Sequence, residues 1–511
     1  MHPDIRLSTW KPEFKDAFFR LNKAWIEAAG YALEPVDIAV LSDPAAHILA
    51  PGGSILAASE QGQVIGVVAL RPAGDQCFEL TKMAVDVPWR GRGIGRLLMQ
   101  AALREARQLG AHRVILYSNT GTSGPAVQLY RKLGFREIPL EQGIYKRADI
   151  KMELLLDTIP VQKTNRSRLP DTDLNHLSFG ETVSDHMLIA DYVDGVWQNA
   201  HIQPFGNLEM PPNMLALHYG QLVWEGMKAF RQADGRVSVF RIPKHAERLN
   251  RSLRRMAMPP MPEAFFEDCI RSLVSVDADW TPSAPGTSLY IRPLVYASDA
   301  RFGVKISETY RMVVFTGPVP MYYPTPLKVK VEDRFIRAAK GGVGAAKCAG
   351  NYGGALYPSQ LAREAGFDQV LWTDGSPELY LEESGTMNLM FVIDGVVVTP
   401  PLSDTILEGI TRDSILLLAG EMGYRTEERR ISAHELVAAH ARGTLQEGFG
   451  AGTAAVTAPF ELIRVGDHDL RLPATDAGSF SVKVRTRLQE IRTGLRPDTY
   501  GWNSVVDESG C

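Results

Sequence analysis

The hydrophobic and polar positions up to residue 155 alternate between strand-like and helix-like patterns. The apolar run from Gly62 to Leu70 predicts a buried strand, and Phe78 to Val85 predicts a second strand after the Gly74-Asp75 turn. Apolar residues then recur at helical spacing from Arg96 to Leu109, with Gly110 in the position of a C-cap. This order of elements predicts a domain that mixes strands and helices.

A glycine-rich turn, Arg90-Gly91-Arg92-Gly93-Ile94-Gly95, joins the second strand to the helix. Backbone N–H groups at a helix N-terminus bind anions such as a pyrophosphate, and the two arginines add positive charge. The G-x-G-x-G spacing is neither the dinucleotide fingerprint G-x-G-x-x-G nor a phosphate loop closed by Gly-Lys-Ser/Thr. The turn therefore predicts a phosphate-bearing ligand of another kind.

A polar segment without periodicity, Thr164 to Pro170, separates this region from the rest of the chain. We place a domain boundary between Leu156 and Asp173, and a proline-rich connector near Gly317 to Pro326. The predicted organisation is a domain over residues 1–156, a linker over 157–173, a small lobe over 174–317, a connector over 318–326 and a large lobe over 327–511. Apolar runs predict strands at Met187–Tyr192 and Val237–Phe240, and Arg248 to Met256 predicts a helix with a strongly basic face.

A glycine-rich stretch from Gly341 to Gly354 surrounds a single lysine, Lys347. Because an ordered glycine loses more backbone entropy than alanine would, neither a regular helix nor a well-packed strand is expected here. Two interpretations remain open from this stretch alone. It is an ordinary surface loop, or it is a loop that brings a reactive lysine to a bulky planar group.

Three further segments of the second half carry polar groups in apolar surroundings. Leu407 to Arg412 introduces an apolar helix, Asp413 to Ala419, whose N-terminal amides form a site for an anion. The small-residue turn Gly448 to Ala455 presents more amides, and Tyr380 to Phe391 places acids ahead of an apolar strand. Together with the lysine, these segments indicate a phosphorylated cofactor bound covalently, and pyridoxal phosphate is the obvious candidate.

The composition excludes several classes of protein. The chain has 511 residues, of which 45% are hydrophobic and 22% charged, and a net charge of -4. These values fit a globular protein of two or three domains and argue against a nucleic-acid partner. The four cysteines, Cys77, Cys269, Cys348 and Cys511, lack C-x-x-C spacing, so neither disulfides nor a metal site is expected. With no secretion signal and no long apolar run, we expect a cytoplasmic protein that does not span a membrane.

The turn from Arg90 to Gly95 resembles the acyl-CoA loop of the GNAT N-acetyltransferases, written Arg/Gln-x-x-Gly-x-Gly/Ala. The helix Ala126 to Leu133, which ends at Gly134-Phe135, is similar to the A-x-x-L-Y-x-x-x-G-F segment of that family. The resemblance covers residues 5 to 155. It implies the GNAT fold, a mixed and mostly antiparallel sheet with helices, and acetyl-CoA as co-substrate.

The resemblance also implies roles for single residues. Tyr130 would protonate the departing thiolate, and Glu79 would accept the proton of the amine, directly or through water. For Tyr130 a purely packing role stays open, and for Glu79 a solvent-facing one. The residues expected at acetyl-CoA are Val85, Arg90, Gly91, Arg92, Gly93, Gly95 and Asn119. The acceptor amine is not readable from the sequence.

Five segments match, in order, motifs of the branched-chain amino acid aminotransferases, which are fold-type IV pyridoxal phosphate enzymes. They are Gly226-Met227-Lys228-Ala229-Phe230, Tyr290-Ile291-Arg292-Pro293, Lys347 with Gly350-Asn351-Tyr352, Glu383 to Asn388, and Gly409-Ile410-Thr411-Arg412. The resemblance covers residues 175 to 505. It implies a two-lobed aminotransferase fold, so the whole chain is expected to combine α/β and α+β architecture.

This second resemblance implies that Lys347 is the catalytic lysine, which binds the cofactor and transfers the substrate proton. Such a lysine must be partly neutral near pH 7, and burial lowers its pKa in that direction. The expected cofactor-binding residues are Arg248, Ile410, Thr411 and Thr453 at the phosphate, Tyr352 at the phenolic oxygen and Glu383 at the pyridine nitrogen. The expected substrate-binding residues are Thr386 and the amide of Ala454 for the α-carboxylate, with Tyr219, Tyr290 and Arg292 around the side chain. For Arg248 a role as a solvent-facing cation stays open, and Lys228 is expected to be structural.

The expected activity is transamination of L-leucine, L-isoleucine and L-valine with 2-oxoglutarate in a homodimer, fused to an N-acetyltransferase module. One alternative makes the front domain a non-catalytic sensor of acyl-CoA, coupled to the aminotransferase through binding. Another is a different fold-type IV activity, such as a D-amino acid aminotransferase or an aminodeoxychorismate lyase. The segments Tyr290-x-Arg292 and Gly226 to Phe230 argue against the latter.

Overall fold

The computed structural model describes residues 5–74, 76–141, 145, 147–156 and 159–506. It divides into two compact units. The first comprises residues up to Ile159 together with 262–266 and 499–501, and the second comprises the remainder. Asp75 of the predicted turn and Cys511 lie outside the described residues. Along the described residues, no helix is long and apolar enough to cross a membrane.

The first unit is built on one twisted sheet with helices packed against it. Its strands are β1 (Ile5–Thr9), β2 (Ser54–Glu60), β3 (Gln63–Pro72), β4 (Cys77–Val85), β5 (Arg113–Ser118), β6 (Arg136–Ile138) and β7 (Ile150–Leu155). Its helices are α1 (Lys15–Ala28), α2 (Pro35–Ser42), α3 (Ile94–Gln108) and α4 (Gly124–Lys132). The strand order is β1-β2-β3-β4-β5-β7-β6, and only β4 and β5 run parallel among these described neighbours.

Strands β4 and β5 are paired only at their first residues, so they separate toward their carboxyl ends and leave an opening between them. Their pairing runs from Cys77 to Glu79 on β4, whereas the strand itself continues to Val85. A β-bulge interrupts the register of β4 with β3, and Lys82, at the bulge, has a φ of 49°. Bulges bend a strand and redirect its side chains, so the end of β4 is turned into the opening.

The core of this unit is apolar because α3 and α4 place one face each on the sheet. Leu98, Met99, Val127 and Leu133 are buried there against strand residues such as Val68. Burial of such side chains contributes about 1.5–3 kcal/mol each. The predicted strands and helices of this region are present, with ends shifted by at most two residues.

The second unit contains two sheets. The first sheet has the order β24-β12-β11-β13-β14-β8-β9, with β10 on β13, and its described pairs are antiparallel. Its strands are β8 (His186–Val193), β9 (Val196–Pro204), β10 (Leu222–Trp224), β11 (Met227–Arg231), β12 (Val237–Phe240), β13 (Ser288–Ala297), β14 (Tyr310–Val319) and, much later in the chain, β24 (Asn503–Val506). Its helices are α5 (Leu215–Tyr219), α6 (Ile242–Arg255) and α7 (Glu263–Val276).

The second sheet has the order β17-β16-β15-β22-β21-β18-β19-β20, with β23 on β22. Its strands are β15 (Leu327–Val331), β16 (Gln369–Thr373), β17 (Leu381–Ser384), β18 (Met387–Ile393), β19 (Val396–Thr399), β20 (Thr426–Glu428), β21 (Leu445–Gly452), β22 (Val456–Val465) and β23 (His468–Arg471). The accompanying helices are α8 (Gly350–Gly353), α9 (Leu356–Glu364), α10 (Ile410–Glu421), α11 (Ala433–Ala441) and α12 (Phe480–Arg492).

Three details differ from the sequence interpretation. The predicted connector begins at residue 318, but strand β14 continues through Val319. Pro318 and Val319 still pair with Leu289 and Ser288 of β13. Strand β24 lies in the first sheet, although the segment 327–511 was assigned to the large lobe. The glycine-rich stretch contains one helical turn, α8, where no helix was expected.

Candidate functional sites

Backbone contacts fix the glycine-rich stretch around Lys347 against the first sheet. Trp224 N donates to Lys347 O at 3.0 Å, and Ala349 N donates to Leu222 O at 3.2 Å, so this segment lies along β10. The Ser252 hydroxyl accepts from Lys347 N at 2.9 Å. Asn351 Nδ2 donates to Ala346 O at 2.8 Å. These bonds offset the entropy that the glycines lose, so the stretch is an ordered site rather than an ordinary surface loop.

The Lys347 side chain is buried, and its ammonium group has aromatic neighbours. Nζ donates to the Tyr352 hydroxyl at 2.8 Å and lies 3.8 Å from the centroid of the Trp224 ring. Burial lowers the pKa of Lys347 to about 7, and the positive charge of Arg248 acts in the same direction. A large fraction of this amine is therefore neutral near pH 7, as a nucleophile requires.

Arg248 is buried and forms two bonds to one carboxylate. Its Nε and Nη2 donate to the two oxygens of Glu225 at 2.8 Å each, and His245 Nδ1 lies 2.7 Å from Glu225 Oε2. This arrangement fixes the guanidinium plane, and Nη1 reaches Glu408 O at 3.2 Å. The interpretation of Arg248 as a solvent-facing cation is therefore wrong.

Arg248 thus lies beside the start of α10. The N-cap residue is Gly409, which has no side chain to bond the first amides, and the helix begins at Ile410 and Thr411. The first amides of an α-helix have no partner within the helix and carry its positive dipole end. A buried arginine and these amides form a site for a phosphate group.

Glu383 lines a small cavity of about 410 Å³, open solvent included. The other lining residues are Arg337, Ala346, Asn351, Tyr352, Ala355, Gly385, Thr386, Met387, Asn388 and Leu407. Leu407 N donates to Glu383 Oε1 at 2.6 Å, and Arg337 Nε lies 3.2 Å from Oε2. Burial raises the pKa of Glu383, and Arg337 offsets part of that rise.

The residues expected around the substrate are only partly brought together. Arg292 lies over the Trp224 ring at 4.1 Å and donates to the Tyr290 hydroxyl at 3.2 Å. Because Trp224 also contacts Lys347, the side chains of Arg292 and Tyr290 lie near the lysine. Thr386 lines the cavity, whereas Tyr219 is 45% exposed and is not among the lining residues.

Thr453 and Ala454 lie in the turn between β21 and β22. The carbonyl of Ala454 accepts a bond of 2.8 Å from Nζ of the buried Lys228. Burial lowers the pKa of Lys228 to about 7, and the charge of Arg492 acts in the same direction. Lys228 therefore fixes this turn, as expected for a structural residue.

A second site lies in the first unit, in the opening between β4 and β5. This cleft encloses about 1940 Å³, open solvent included. Of the residues expected at acetyl-CoA, those that line it are Val85, Arg90, Gly91, Gly93, Gly95 and Asn119. Arg92 instead lies over the Trp89 ring, 4.9 Å from its centroid. The glycine turn leads into α3, with Gly93 as N-cap at a φ of 83°.

Tyr130 and Glu79 both line this cleft. Burial raises the pKa of Tyr130 to about 12, so its hydroxyl keeps its proton at neutral pH. Glu79 is buried, and its two oxygens accept from Tyr145 and Arg71 at 2.6 Å each. The interpretation of Glu79 as a solvent-facing strand residue is therefore wrong, because Arg71 and Tyr145 enclose it.

The second unit fits pyridoxal phosphate by the chemistry of its groups. A neutral buried amine at Lys347 suits the aldehyde, and Arg248 with the start of α10 suits the phosphate. Glu383 and Tyr352 line the same cavity, and a carboxylate and a hydroxyl are the groups that a pyridine nitrogen and a phenolic oxygen would bind. Among the described residues, no group of acids, histidines and cysteines could hold a metal ion.

Family models match both units. The model of amino-transferase class IV matches residues 222–448, and that of the acetyltransferase (GNAT) family matches residues 9–135. Branched-chain-amino-acid aminotransferase 2 of Bacillus subtilis is 42% identical over 353 residues, which are 68% of this chain and 97% of that protein.

Solved structures agree with this match. The branched-chain amino acid aminotransferase from Escherichia coli is 26% identical with a TM-score of 0.52, covering 63% of this chain and 99% of that one. The T.th. branched-chain amino acid aminotransferase complexed with N-(5'-phosphopyridoxyl)-L-glutamate is 28% identical with a TM-score of 0.51, covering 63% and 98%.

Fold and site thus define a class IV aminotransferase, which uses pyridoxal phosphate, preceded by a GNAT domain, which uses acetyl-CoA. Within that class, the chain belongs to the branched-chain-amino-acid aminotransferases. The expected fold class and cofactors are confirmed.

Several residues of these sites were missed from the sequence. Glu225 stands directly before the Gly226 motif, and an acid in that apolar context was the available signal. Arg337, which pairs with Glu383, lies in a loop without such a signal. In the first unit Asp37 and Arg147 meet only through the fold, since 110 residues separate them.

Proposed function

We propose that the second unit exchanges an amino group between L-leucine, L-isoleucine or L-valine and 2-oxoglutarate. The observation that carries this proposal is the buried Lys347, with a pKa of about 7, beside a phosphate site and a carboxylate-lined cavity. The likeness to an enzyme complexed with phosphopyridoxyl-L-glutamate supports glutamate and its oxo acid as the second pair.

When bound, pyridoxal phosphate supplies an aldehyde that condenses with amines and a ring that withdraws electrons from the bond being broken. Lys347 Nζ would take the proton from the substrate Cα and hold it, so that the same group can return it when the oxo acid of the second substrate pair is converted to its amino acid. Glu383 would accept a hydrogen bond from the ring nitrogen, and Tyr352 would donate one to the phenolic oxygen. Arg248 with the first amides of α10, and Thr453, hold the phosphate.

The remaining residues orient the substrate. Thr386 and the amide of Ala454 hold the α-carboxylate, and the bond from Lys228 to Ala454 O keeps that turn in place. Tyr290 and Arg292 shape the side-chain pocket, where a guanidinium over Trp224 offers an aliphatic wall and a cation for a distal carboxylate. Tyr219 is assigned to this pocket on its motif position alone.

The test is a coupled assay of glutamate formation from each of the three amino acids and 2-oxoglutarate, using the full chain with pyridoxal phosphate. Wild type should turn over all three, and D-leucine should not react. Arg248→Lys should raise the Kd of the cofactor at least tenfold while keeping the positive charge. Turnover of D-leucine in place of the L-amino acids would overturn the proposal in favour of a D-amino acid aminotransferase.

We further propose that the first unit transfers the acetyl group of acetyl-CoA to an amine. The backbone at the end of β4 and the turn before α3 bind the co-substrate, Tyr130 protonates the thiolate, and Glu79 accepts the proton of the amine. Since Glu79 already accepts from Tyr145 and Arg71, it acts through the Tyr145 hydroxyl or a water.

The measurement is thiol release with a panel of amines, comparing wild type with Tyr130→Phe. Binding of acetyl-CoA without turnover would instead make the unit a sensor.

We propose that the aminotransferase acts as a homodimer. The loop between β13 and β14 exposes Phe302 by 87%, Val304 by 82% and Ile306 by 61%. A cluster of exposed large apolar side chains marks an interaction surface. A second copy of the chain is the partner we assign to this loop, because the resemblance to the aminotransferases implies a homodimer.

A further inference from the structure

One wall of the cleft in the first unit carries two cations for one carboxylate. Asp37, at the start of α2, is fully buried and pairs with Lys82 Nζ and Arg147 Nη2 at 2.7 Å each. The side chains of Lys82 and Arg147 are only 12% and 20% exposed. One positive charge therefore remains in excess at a site with little solvent, which favours an anionic ligand.

Arg147 has a free donor at this position. Its Nη1 is buried and has no hydrogen-bond partner within the part of the chain that the structure describes. A buried N–H group without an acceptor costs about 1–3 kcal/mol. Since Arg147 lines the cleft, an acceptor oxygen from a ligand would satisfy this group.

The charges of the neighbouring site are balanced. Glu79 pairs with Arg71, and both bond to the Tyr145 hydroxyl. Tyr145 and Arg147 stand two residues apart, so their Cα atoms are separated by about 7 Å at most. Glu79, Tyr145 and Arg147 all line the same cleft, so a carboxylate site at Arg147 and a proton-accepting site at Glu79 open on one space.

Apolar side chains form the adjoining wall. Trp25 and Ile26 on α1, with Tyr31 after it, line the same cleft. The Arg147 guanidinium lies 5.8 Å from the centroid of the Tyr31 ring. The cleft therefore combines an anion site, a proton acceptor and an apolar surface.

We propose that the acetyl acceptor of the first unit is an α-amino acid with an apolar side chain. The inference rests on the proposed acetyl transfer and names its substrate class. Arg147 and Lys82 hold the α-carboxylate, Glu79 faces the α-amine through Tyr145, and Trp25 with Tyr31 packs on the side chain.

In the step itself, the amine nitrogen attacks the thioester carbon, so a C–N bond forms and the C–S bond breaks. The amine proton passes to Glu79, and the departing thiolate takes a proton from Tyr130. The α-ammonium group loses one proton to water before this attack, and that is the only proton released. Glu79 then gives its proton to water and Tyr130 takes one back, so the products are an N-acetyl amino acid, free CoA thiol and that one proton. The amide nitrogen of this product cannot condense with an aldehyde, so acetylation removes the amino acid from transamination.

The test measures CoA thiol release by the full chain with acetyl-CoA and no added oxo acid. The acceptors are L-leucine, L-leucinamide and 3-methylbutylamine, which share the apolar group but differ in the carboxylate. We expect kcat/KM for leucine to exceed both others at least tenfold. Arg147→Gln should raise KM for leucine at least tenfold, with little change for leucinamide. Arg131→Gln, an exposed arginine on α4, is the matched control and should change neither.

Two results would overturn the inference, and they are distinguishable. Equal turnover of all three amines, unchanged by Arg147→Gln, would leave acetyl transfer standing and remove the carboxylate site. If acetyl-CoA binds but no thiol is released with these three amines or with a wider amine panel, the proposed acetyl transfer is overturned as well. Acetyl-CoA binding by Arg147→Gln, measured calorimetrically, shows that the variant is folded.

Discussion

Two buried lysines of the second unit share a pKa of about 7 but have different surroundings. Lys347 lies beside Tyr352 and the cavity that Glu383 lines, whereas Lys228 donates to the carbonyl of Ala454. A lowered pKa alone therefore does not identify the catalytic lysine. We assign catalysis to Lys347 as a proposal, which rests on Arg248 beside the start of α10 and on the neighbouring cavity, because a reactive amine needs its partner groups within reach.

Lys228 should make the stability of the protein depend on pH. Its pKa of about 7 in the folded chain lies below the value of 10.5 expected in the unfolded chain, since burial disfavours the ammonium form. Between these values the unfolded chain binds more protons, so stability rises with pH. The contribution of neutral Lys228 to the free energy of unfolding is fully present above pH 10.5 and is lost as the pH falls toward 7. The gain from pH 7 to 9 should be about 2 kcal/mol at most.

The measurement is the midpoint of denaturant unfolding of the cofactor-bound protein at both pH values. Lys228→Met should lose most of the gain, and Lys244→Met, a half-exposed lysine, should keep it. An identical gain in wild type and Lys228→Met would show that Lys228 is charged in the folded protein.

Cys348 directly follows Lys347 in the chain, and its thiol is a candidate for chemical modification. It is 1% exposed, and burial raises the pKa of its thiol. A buried thiol without thiolate character reacts slowly with oxidants and alkylating agents. We therefore expect no modification of Cys348 by iodoacetamide in the native protein, which peptide mass spectrometry checks.

At the scale of elements, the start of β11 is fitted to Tyr290 on the neighbouring strand. A Cβ at Gly226 would lie 2.1 Å from the Tyr290 hydroxyl and 3.0 Å from its ring carbon. Glycine is therefore required because of a close approach. The motif from Gly226 to Phe230 and the Tyr290 motif, which the sequence showed separately, form one packed arrangement.

Replacement Gly226→Ala should displace Tyr290 and destabilise the protein by about 1–3 kcal/mol. Because Tyr290 shapes the proposed side-chain pocket, its displacement should also raise the KM for leucine. Since the closest atom is the hydroxyl oxygen, Tyr290→Phe in the same chain should recover part of the lost stability. Unfolding midpoints of the two single variants and the double variant measure this coupling. Strict additivity of the two losses would contradict the proposed contact.

Local patterns predicted most elements, because strands and helices here follow the apolar period and the glycine turns. The helix α3 and strands β3 and β4 are examples. The pattern did not predict the bulge at Lys82, since a bulge depends on pairing with β3. Nor did it predict α8, which the bonds of Asn351 and the contact with β10 stabilise against the entropy of its glycines.

Motifs allow a prediction of single site residues, but they do not predict where two distant segments meet. Lys347, Glu383 and Tyr130 each stand in a motif. The pairs Arg248 with Glu225 and Arg147 with Asp37 are made by folding alone. The charge balance of a site therefore required the structure, as did the choice of an acceptor for the first unit.

At the scale of the whole molecule, the chain joins two units whose chemistry acts on amines in different ways. The first unit carries the cleft of an acetyltransferase, and the second carries the lysine and phosphate site of an aminotransferase. The first unit has one sheet and the second has two, and each unit has its own pocket. Variants at one site should therefore leave the other reaction unchanged unless the two reactions draw on the same amino acid.

The oligomeric state is a prediction at this scale. Phe302→Asp places a charge in the exposed apolar loop and should shift the protein from dimer to monomer in analytical ultracentrifugation. Leu495→Asp, equally apolar and 72% exposed after α12, is the control and should remain dimeric. A wild-type protein that sediments as a monomer at micromolar concentration would contradict the assignment of this loop.

The central claim is that Lys347, and not the equally buried Lys228, binds the cofactor. Borohydride reduction of the pyridoxal phosphate-bound protein makes the bond between lysine and cofactor permanent, and peptide mass spectrometry then locates it. We expect the phosphopyridoxyl mass on the peptide that contains Lys347, together with loss of visible absorbance and transamination in Lys347→Ala. Labelling of Lys228, or visible absorbance retained by Lys347→Ala after dialysis, would contradict it.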